Sequence, residues 1–281
     1  MNLNLGVRAH DFKKLDNIET IAQKAAEKKF SAIQLALAKS LPSLNSELGA
    51  LSPGMANYIT KVLNKHNIDV AVLGCYINPV HPDENKRRKA LDRFKEHIRF
   101  ARDFNCSIVG TETGSLNADL SFNPENHGEQ TFTEIVKSIS ELVEEAEKFG
   151  VIVGVEAVTK YTIHTPQRMK RLLDAVASNN LQVIFDPANL IDINNYKNQD
   201  QIIMEALDLL EDRIVIVHAK DFIVSNNSIK MVPVGKGLLN YKLLLKEIKQ
   251  RKPFINVLLE NTKEDFMDES IHFLNTIYES V

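Results

Sequence analysis

Four short apolar runs of this sequence each end in a side chain that can bind a metal ion. The runs are 151–156, 182–186, 213–218 and 255–260, and their last residues are Glu156, Asp186, His218 and Glu260. Short runs rich in β-branched and aliphatic residues are typical of strands buried on both faces. A carboxylate at the end of such a strand is costly to bury unless it is paired or binds a metal. The four runs therefore predict a polar cluster at one end of a sheet.

Three carboxylates with one imidazole form a mixed oxygen and nitrogen ligand set. Such a set suits a single divalent ion, with Mn²⁺ first among the candidates and Mg²⁺, Co²⁺ or Zn²⁺ also possible. The lack of a thiolate argues against a structural zinc site. Taken alone, His218 would more simply be a buried core histidine. Four such groups on four consecutive strands favour a metal centre, because the strands of a parallel barrel end on the same face.

The rest of the chain supplies the elements that such a barrel needs. Predicted strands and helices alternate with a period of roughly 30 to 45 residues. Four further strands precede the four runs, at 3–7, 31–37, 69–76 and 107–112. Eight helices are predicted at 16–29, 52–67, 84–105, 129–149, 165–179, 200–210, 241–250 and 263–278. In the first of these, Asp16 is the candidate N-cap.

This alternation predicts a (β/α)8 TIM barrel that forms a single domain over residues 1–281. The stretch 221–238 interrupts the pattern with weak strand character and a Val-Gly-Lys-Gly turn. An open doubly wound sheet is the alternative fold. Against it, no Gly-x-Gly-x-x-Gly motif follows the first strand, so the dinucleotide site that such sheets often carry is missing.

Composition narrows the classes of partner. The net charge of −3 argues against bulk attraction to nucleic acid or to an anionic membrane, and without tryptophan a base-stacking platform is not indicated. Two cysteines are too few for a disulfide framework and fit a reducing compartment. The N-terminus lacks the pattern of a signal peptide, and no apolar run reaches the length of a membrane span. We expect a cytoplasmic protein that acts on a small molecule, with a homo-oligomer as a possibility.

Several other polar residues lie at predicted strand ends or in the loops that follow them, where a barrel would direct them towards an active site. These candidate substrate-binding residues are Arg8, His10, His81, Glu112, His164, Asn189 and Lys220. Arg8 could hold an anionic or hydroxylated substrate, or could equally pair with a nearby carboxylate. Asp221 is as well explained by a surface ion pair as by a substrate contact. Gly235 and Gly237 could present backbone amides to a phosphate, on weak evidence.

The sequence resembles the sugar phosphate isomerase/epimerase group of xylose isomerase-like TIM barrels, a superfamily that also contains AP endonuclease family 2. The resemblance extends in order over nearly the whole chain. It is specific for the superfamily and poor at choosing a substrate. The matching segments are Gly154-Val-Glu156, Phe185-Asp-Pro-Ala-Asn189, Val217-His-Ala-Lys-Asp221, Val234-Gly-Lys-Gly237 and Leu259-Glu260.

The resemblance implies an activity and roles for the four strand-end residues. In the ketose 3-epimerase branch, the matching residues hold one divalent metal, and the residues matching Glu156 and Glu260 act as acid and base on opposite faces of the substrate carbon. We therefore expect a metal-dependent isomerase, of the ketose epimerase or aldose–ketose isomerase type, acting on a sugar or sugar phosphate. Proton transfer would pass through an enediolate that the metal stabilises.

Two departures from that branch leave the substrate open. A histidine usual in the branch is replaced by Asn189, and an arginine usual there falls on Val224. One alternative is a lyase that dehydrates an inosose or a dehydroshikimate-like ring on the same metal site. A second is an AP endonuclease-type phosphodiesterase, but its additional zinc ligands would fall on Asn189, Ile229 and Met231. A third is a barrel that binds metal without catalysis.

Overall fold

Eight parallel strands close into a barrel in the computed structural model, which describes residues 2–13 and 17–281. The strands in chain order are β1 (Leu5–Arg8), β2 (Ala32–Leu35), β3 (Asp69–Gly74), β4 (Ile108–Glu112), β5 (Ile152–Glu156), β6 (Leu181–Phe185), β7 (Ile214–Ala219), β8 (Asp221–Ser225), β9 (Ser228–Val232) and β10 (Asn256–Leu259). The order around the barrel is β1, β10, β7, β6, β5, β4, β3 and β2, and β8 pairs with β9 in a separate hairpin. The predicted (β/α)8 TIM barrel is confirmed.

Helices alternate with the barrel strands. They are α1 (Ile18–Glu27), α2 (Leu37–Ser40), α3 (Pro53–Lys65), α4 (Glu84–Phe100), α5 (Glu129–Phe149), α6 (Pro166–Val176), α7 (Gln199–Leu210), α8 (Tyr241–Arg251) and α9 (Met267–Ser280). Asp16, the predicted N-cap of the first helix, lies outside the described residues, and the side chain of Asn17 caps α1 by accepting from the Thr20 N–H. None of the described helices is long and apolar enough to cross a membrane.

Two helices end at least three residues earlier than the sequence predicts. The prediction extends α6 to residue 179, but Ala177 adopts a left-handed conformation with φ of 53° and its N–H bonds the Leu173 carbonyl, which ends the helix at Val176. The prediction extends α4 to residue 105, yet the helix ends at Phe100 and residues 101–105 form turns. Neither difference moves a strand end.

Successive side chains of a strand point alternately into the barrel and out towards the helices, and this alternation determines which residues fill the barrel interior. Residues two apart on a strand share a face. The barrel interior contains a small apolar cluster of Val72, Ile108, Ile184, Ile216 and Leu258. The residues two positions after the last three of these are the predicted ligands on β6, β7 and β10. The apolar layer therefore lies directly beside the polar strand ends and keeps water out from that side.

The β8–β9 hairpin is anchored by Asp221, which is buried. Its Oδ1 atom accepts the N–H groups of Phe222 and Leu239 at 2.9 and 3.0 Å. Its Oδ2 atom accepts those of Gly235 and Gly237 at 3.0 and 2.9 Å. Asp221 therefore does not form the surface ion pair that the sequence allowed. The amides of the glycine turn are already bonded, so they do not form a phosphate cradle.

We expect Asp221→Ala to lower the free energy of unfolding by about 3 kcal/mol or more, because four backbone N–H groups, those of Phe222 and Leu239 fully buried, lose their acceptor. Urea unfolding monitored by circular dichroism measures this change. Asp208→Ala is the control, because that carboxylate is largely exposed in its ion pair with Arg251 and its loss should cost less than about 1 kcal/mol. Equal, small losses in both variants would contradict the anchoring role.

Candidate metal centre and active-site cavity

The four predicted ligands converge at one end of the barrel. One potential ligand atom each from Glu156, Asp186, His218 and Glu260 lies within 4.8 Å of the other three, and all four residues are buried. His218 is in β7, Glu156 ends β5, and the two remaining carboxylates directly follow β6 and β10. Strands that are far apart in sequence therefore bring three carboxylates and one imidazole into contact.

The hydrogen bonding of this group fits a cation at its centre. The Nδ1 atom of His218 lies 2.8 Å from Glu260 Oε2 and 3.2 Å from Glu156 Oε2. Asp186 Oδ2, which is also buried, lies 2.7 Å from the Lys220 ammonium. Carboxylates are costly to bury unless they are paired or bind a metal. This buried group could hold a divalent metal.

The orientation of His218 is determined by Gln34, a residue that the sequence analysis missed. The His218 Nε2 atom lies 2.8 Å from Gln34 Oε1. The Gln34 amide in turn donates from Nε2 to the Tyr76 hydroxyl, so its oxygen must face the imidazole. His218 therefore carries a proton on Nε2, so Nδ1 is the ring atom that faces the carboxylates and that could bind a metal once it is deprotonated. The sequence signal was a polar residue inside the apolar strand 31–37.

Two cations contact the carboxylates. The Lys220 ammonium lies 2.7 Å from Asp186 Oδ2, 3.1 Å from Glu260 Oε1 and 3.5 Å from Glu156 Oε1. Arg8 donates to Glu260 Oε1 and also pairs with Asp11, at 2.6 Å. Both residues were predicted to bind substrate, and both contact proposed metal ligands directly.

Asn189 also contacts two members of the group. Its backbone N–H donates to Asp186 Oδ1 at 3.1 Å, and its side-chain amide donates to Glu156 Oε1. The asparagine therefore holds two carboxylates in place. Because an amide cannot carry a proton between substrate and solvent, Asn189 is limited to hydrogen bonding.

A cavity of about 630 Å³ opens onto the metal group. Its wall includes five of the residues predicted in the site, namely Arg8, Glu112, Asn189, Lys220 and Glu260. Tyr161, which the sequence analysis missed, lines the same cavity as Glu112. The β8–β9 hairpin contributes Ile229 and Met231. The cavity thus combines a charged floor with a partly apolar wall, as small-molecule sites commonly do.

The three candidate histidines occupy other positions. His10 lies in a short 3-10 helix after β1, and burial together with the Arg8 charge lowers its pKa to about 3, so the ring is neutral. His81 accepts the Asp83 N–H on Nδ1 in the loop before α4. His164 stacks on His127 with ring centroids 3.5 Å apart. Among the described residues, the cavity wall includes none of the three.

Charges in the site shift several pKa values when no metal neutralises them. Burial opposes a charged imidazole, but the Glu156 and Glu260 carboxylates outweigh it and raise the pKa of His218 to about 10. Burial also raises the pKa of Asp186 to about 6, although Lys220 opposes the shift. Burial and the Glu156 charge raise the pKa of Glu112 to about 7. The metal-free site therefore holds protons at neutral pH.

We expect Gln34→Met to weaken the binding of Mn²⁺ by about 10- to 100-fold. Methionine cannot replace the hydrogen bond from His218 Nε2–H to Gln34 Oε1, which keeps Nδ1 as the ring atom available to the metal. Isothermal titration of Mn²⁺ into metal-free protein measures the affinity. Gln182→Met is the matched control, since Gln182 lies on β6 and bonds the Asn179 carbonyl away from the site. An affinity unchanged in both variants would show that Gln34 does not orient His218.

Metal binding should release about one proton at pH 7.5, because His218 with a pKa of about 10 is protonated until a metal takes its Nδ1 lone pair. The affinity for Mn²⁺ should therefore rise with pH, by about tenfold per unit below the pKa of His218. Titrations of Mn²⁺ in buffers of different ionisation enthalpy count the released protons. Binding enthalpies that do not depend on the buffer would contradict a protonated His218.

Comparison with proteins of known sequence finds distant relatives. A protein of Methanocaldococcus jannaschii without an assigned function is 23% identical over 207 residues, which cover 71% of this chain and 67% of that protein. The probable L-ribulose-5-phosphate 3-epimerase UlaE of Mycoplasma pneumoniae is 26% identical over 142 residues, which cover 50% of this chain and 43% of that protein. The alignment thus spans less than half of the epimerase.

Solved structures share the fold along the whole chain. A D-tagatose 3-epimerase-like protein superposes with a TM-score of 0.78 at 19% identity, covering 99% of this chain and 98% of the other. The probable 3-DHS dehydratase AsbF of Bacillus anthracis superposes with a TM-score of 0.75 at 16% sequence identity, covering 98% of each chain. The IOLI protein, solved with a zinc atom, superposes with a TM-score of 0.73 at 16% sequence identity, covering 99% of this chain and 97% of the other.

A family-level match covers most of the chain. The family described as xylose isomerase-like TIM barrel matches residues 22–277. The matched region begins within α1, ends within α9 and includes the whole metal group. This chain belongs to the xylose isomerase-like TIM barrel family.

Proposed function

We propose that this protein is a divalent-metal-dependent isomerase or epimerase of a sugar or sugar phosphate, and that residues 1–281 work as one catalytic barrel. The observation that carries the proposal is the buried group of Glu156, Asp186, His218 and Glu260, which adjoins an open cavity through Glu260. Membership of the xylose isomerase-like family supports it. So does the similarity to a probable L-ribulose-5-phosphate 3-epimerase.

These four residues would hold a divalent ion, which would supply Lewis acidity that acidifies the C–H next to the carbonyl of a bound sugar. Glu156 and Glu260 then exchange the proton of that carbon. They belong to strands that have β6 and β7 between them in the barrel, so they approach its centre from different directions. One glutamate can remove the proton from one face while the other returns it to the opposite face.

The surroundings keep both glutamates in the ionised form that a base requires. Burial alone would raise the pKa of each, but Lys220 and His218 outweigh it and lower the pKa of Glu156. The same two cations, joined by Arg8, hold the pKa of Glu260 well below its usual value. The donors on their Oε1 atoms also fix the rotation of the two carboxylates. Epimerisation and isomerisation differ only in the carbon to which the proton returns.

Structural features argue against the phosphodiesterase alternative. Ile229 and Met231 are apolar residues of β9 that cannot bind zinc, and the amide of Asn189 donates to Glu156. Within the described ranges 2–13 and 17–281, one group of three or more acidic, histidine or cysteine side chains is arranged to hold a metal. A three-zinc cluster therefore has no additional ligands there.

Substrate assays on Mn²⁺-loaded protein test the proposal directly. The panel contains free ketoses, ketose phosphates, inososes, 3-dehydroshikimate and a duplex with an abasic site. In D₂O we expect deuterium at the carbon next to the carbonyl of one sugar or sugar phosphate. Water loss from an inosose or from 3-dehydroshikimate would show that the protein is a lyase rather than an isomerase. Cleavage of the duplex without exchange in any sugar, or no turnover by metal-loaded protein, would refute the proposed reaction.

Glu156→Gln and Glu260→Gln should each lower turnover of that substrate by roughly 10²- to 10⁴-fold, because glutamine keeps the shape but cannot accept the proton. Exchange of one epimer should survive in one variant and exchange of the other epimer in its counterpart. Glu269→Gln, which changes a surface glutamate paired with Lys236, is the control. Metal content is measured on the same samples. Normal turnover in both site variants would show that neither glutamate is the base, and Glu112 would then be the next candidate.

A further inference from the structure

Lys220 contacts every carboxylate of the metal group. Its Nζ atom lies 2.7 Å from Asp186, 3.1 Å from Glu260 and 3.5 Å from Glu156. Its side chain is only 4% exposed. Arg8 differs, because it contacts Glu260 alone among the three and is itself paired with Asp11. Lys220 is therefore a cation dedicated to the metal group.

The backbone around Lys220 is held on both sides. Lys220 directly follows β7, two residues after His218, so the alternation of the strand points both side chains to the same interior. The Tyr241 hydroxyl donates to the Lys220 carbonyl at 2.6 Å. The next residue, Asp221, is fixed by four backbone N–H groups. These contacts hold the Lys220 backbone in place, and the burial of its side chain keeps the ammonium on the carboxylates.

The charges of the group have a simple consequence. Three ionised carboxylates carry three negative charges, and the Lys220 ammonium cancels one of them. Arg8 contacts Glu260 alone, and a bound metal would occupy the His218 Nδ1 atom, so Lys220 is the cation that stays on all three carboxylates whether or not a metal is bound. Without the lysine, the buried metal-free group would lose one of the positive charges that offset its carboxylates, which is strongly unfavourable. Loss of the Lys220 charge would also increase the attraction of the carboxylates for a divalent ion.

We propose that Lys220 is a built-in counter-charge that keeps the metal-free site folded and moderates its affinity for a divalent ion. It is a positioning residue, and it acts on the metal through the carboxylates that it contacts. The proposal rests on the proposed metal site but not on the proposed reaction. It predicts two opposite effects. Loss of the lysine should lower the stability of the metal-free protein and raise its affinity for a divalent ion.

The test uses Lys220→Met and Lys220→Gln, two neutral side chains of similar length. In EDTA we expect the midpoint of thermal unfolding of each variant to fall by roughly 10 °C relative to the parent. With saturating Mn²⁺ most of this loss should be recovered. Isothermal titration at pH 7.5 should show Mn²⁺ bound at least about tenfold more tightly than by the parent. Lys236→Met, which removes an exposed lysine paired with Glu269, should change neither quantity.

The outcomes separate this proposal from the proposed function. A parent that binds Mn²⁺ and variants that bind it equally or more weakly would overturn the counter-charge role and leave the metal site intact. A parent that binds no Mn²⁺, Co²⁺ or Zn²⁺ would overturn both. Variants that stay unfolded even with excess Mn²⁺ would also overturn the role of Lys220, because the ion should replace the lost charge. Variants that fold only with metal would support it.

Discussion

The burial of three carboxylates at one end of the barrel is the constraint on which the rest of this structure depends. Glu156, Asp186 and Glu260 lie within 4.8 Å of one another beside a histidine. Neither desolvation nor their mutual repulsion is tolerable without nearby positive charge. Lys220 supplies a fixed charge to all three, and Arg8 adds a contact to Glu260. A divalent ion, which this group could hold, would add further positive charge, and the proposed chemistry depends on it.

One geometric rule carries these groups to the same place. Alternate residues of a strand share a face, so three of the four polar ends follow an interior apolar residue by two positions. Asp186 follows Ile184, His218 follows Ile216 and Glu260 follows Leu258. The apolar layer excludes water from one side of the site, and the cavity admits substrate from the other. The same alternation places Glu112 on the cavity wall two positions after Gly110. A residue at this register is therefore better placed to contact substrate than a residue in a loop.

Lys220 and Asp221 show how two adjacent buried charges are satisfied in different ways. The lysine faces the barrel interior and is neutralised by carboxylates. The aspartate faces away from it and is satisfied by four backbone N–H groups. Those bonds fix the glycine turn and the β8–β9 hairpin, whose Ile229 and Met231 line the cavity. Of these two adjacent residues, Lys220 therefore contributes charge to the metal group, and Asp221 holds the hairpin that forms part of the cavity wall.

The sequence by itself determined the barrel and the four converging ligands, because strand length, apolar periodicity and strand ends are local properties of the chain. The tertiary structure alone decided which side chains complete the site. Gln34 and His218 are 184 positions apart in sequence and meet only when the barrel closes. His164 lies near a predicted strand end, yet it stacks on His127 away from the cavity wall. Asp221 could equally have faced solvent until the glycine turn folded around it. Hydrogen bonds between distant segments depend on barrel closure and loop conformation, and no local pattern encodes these.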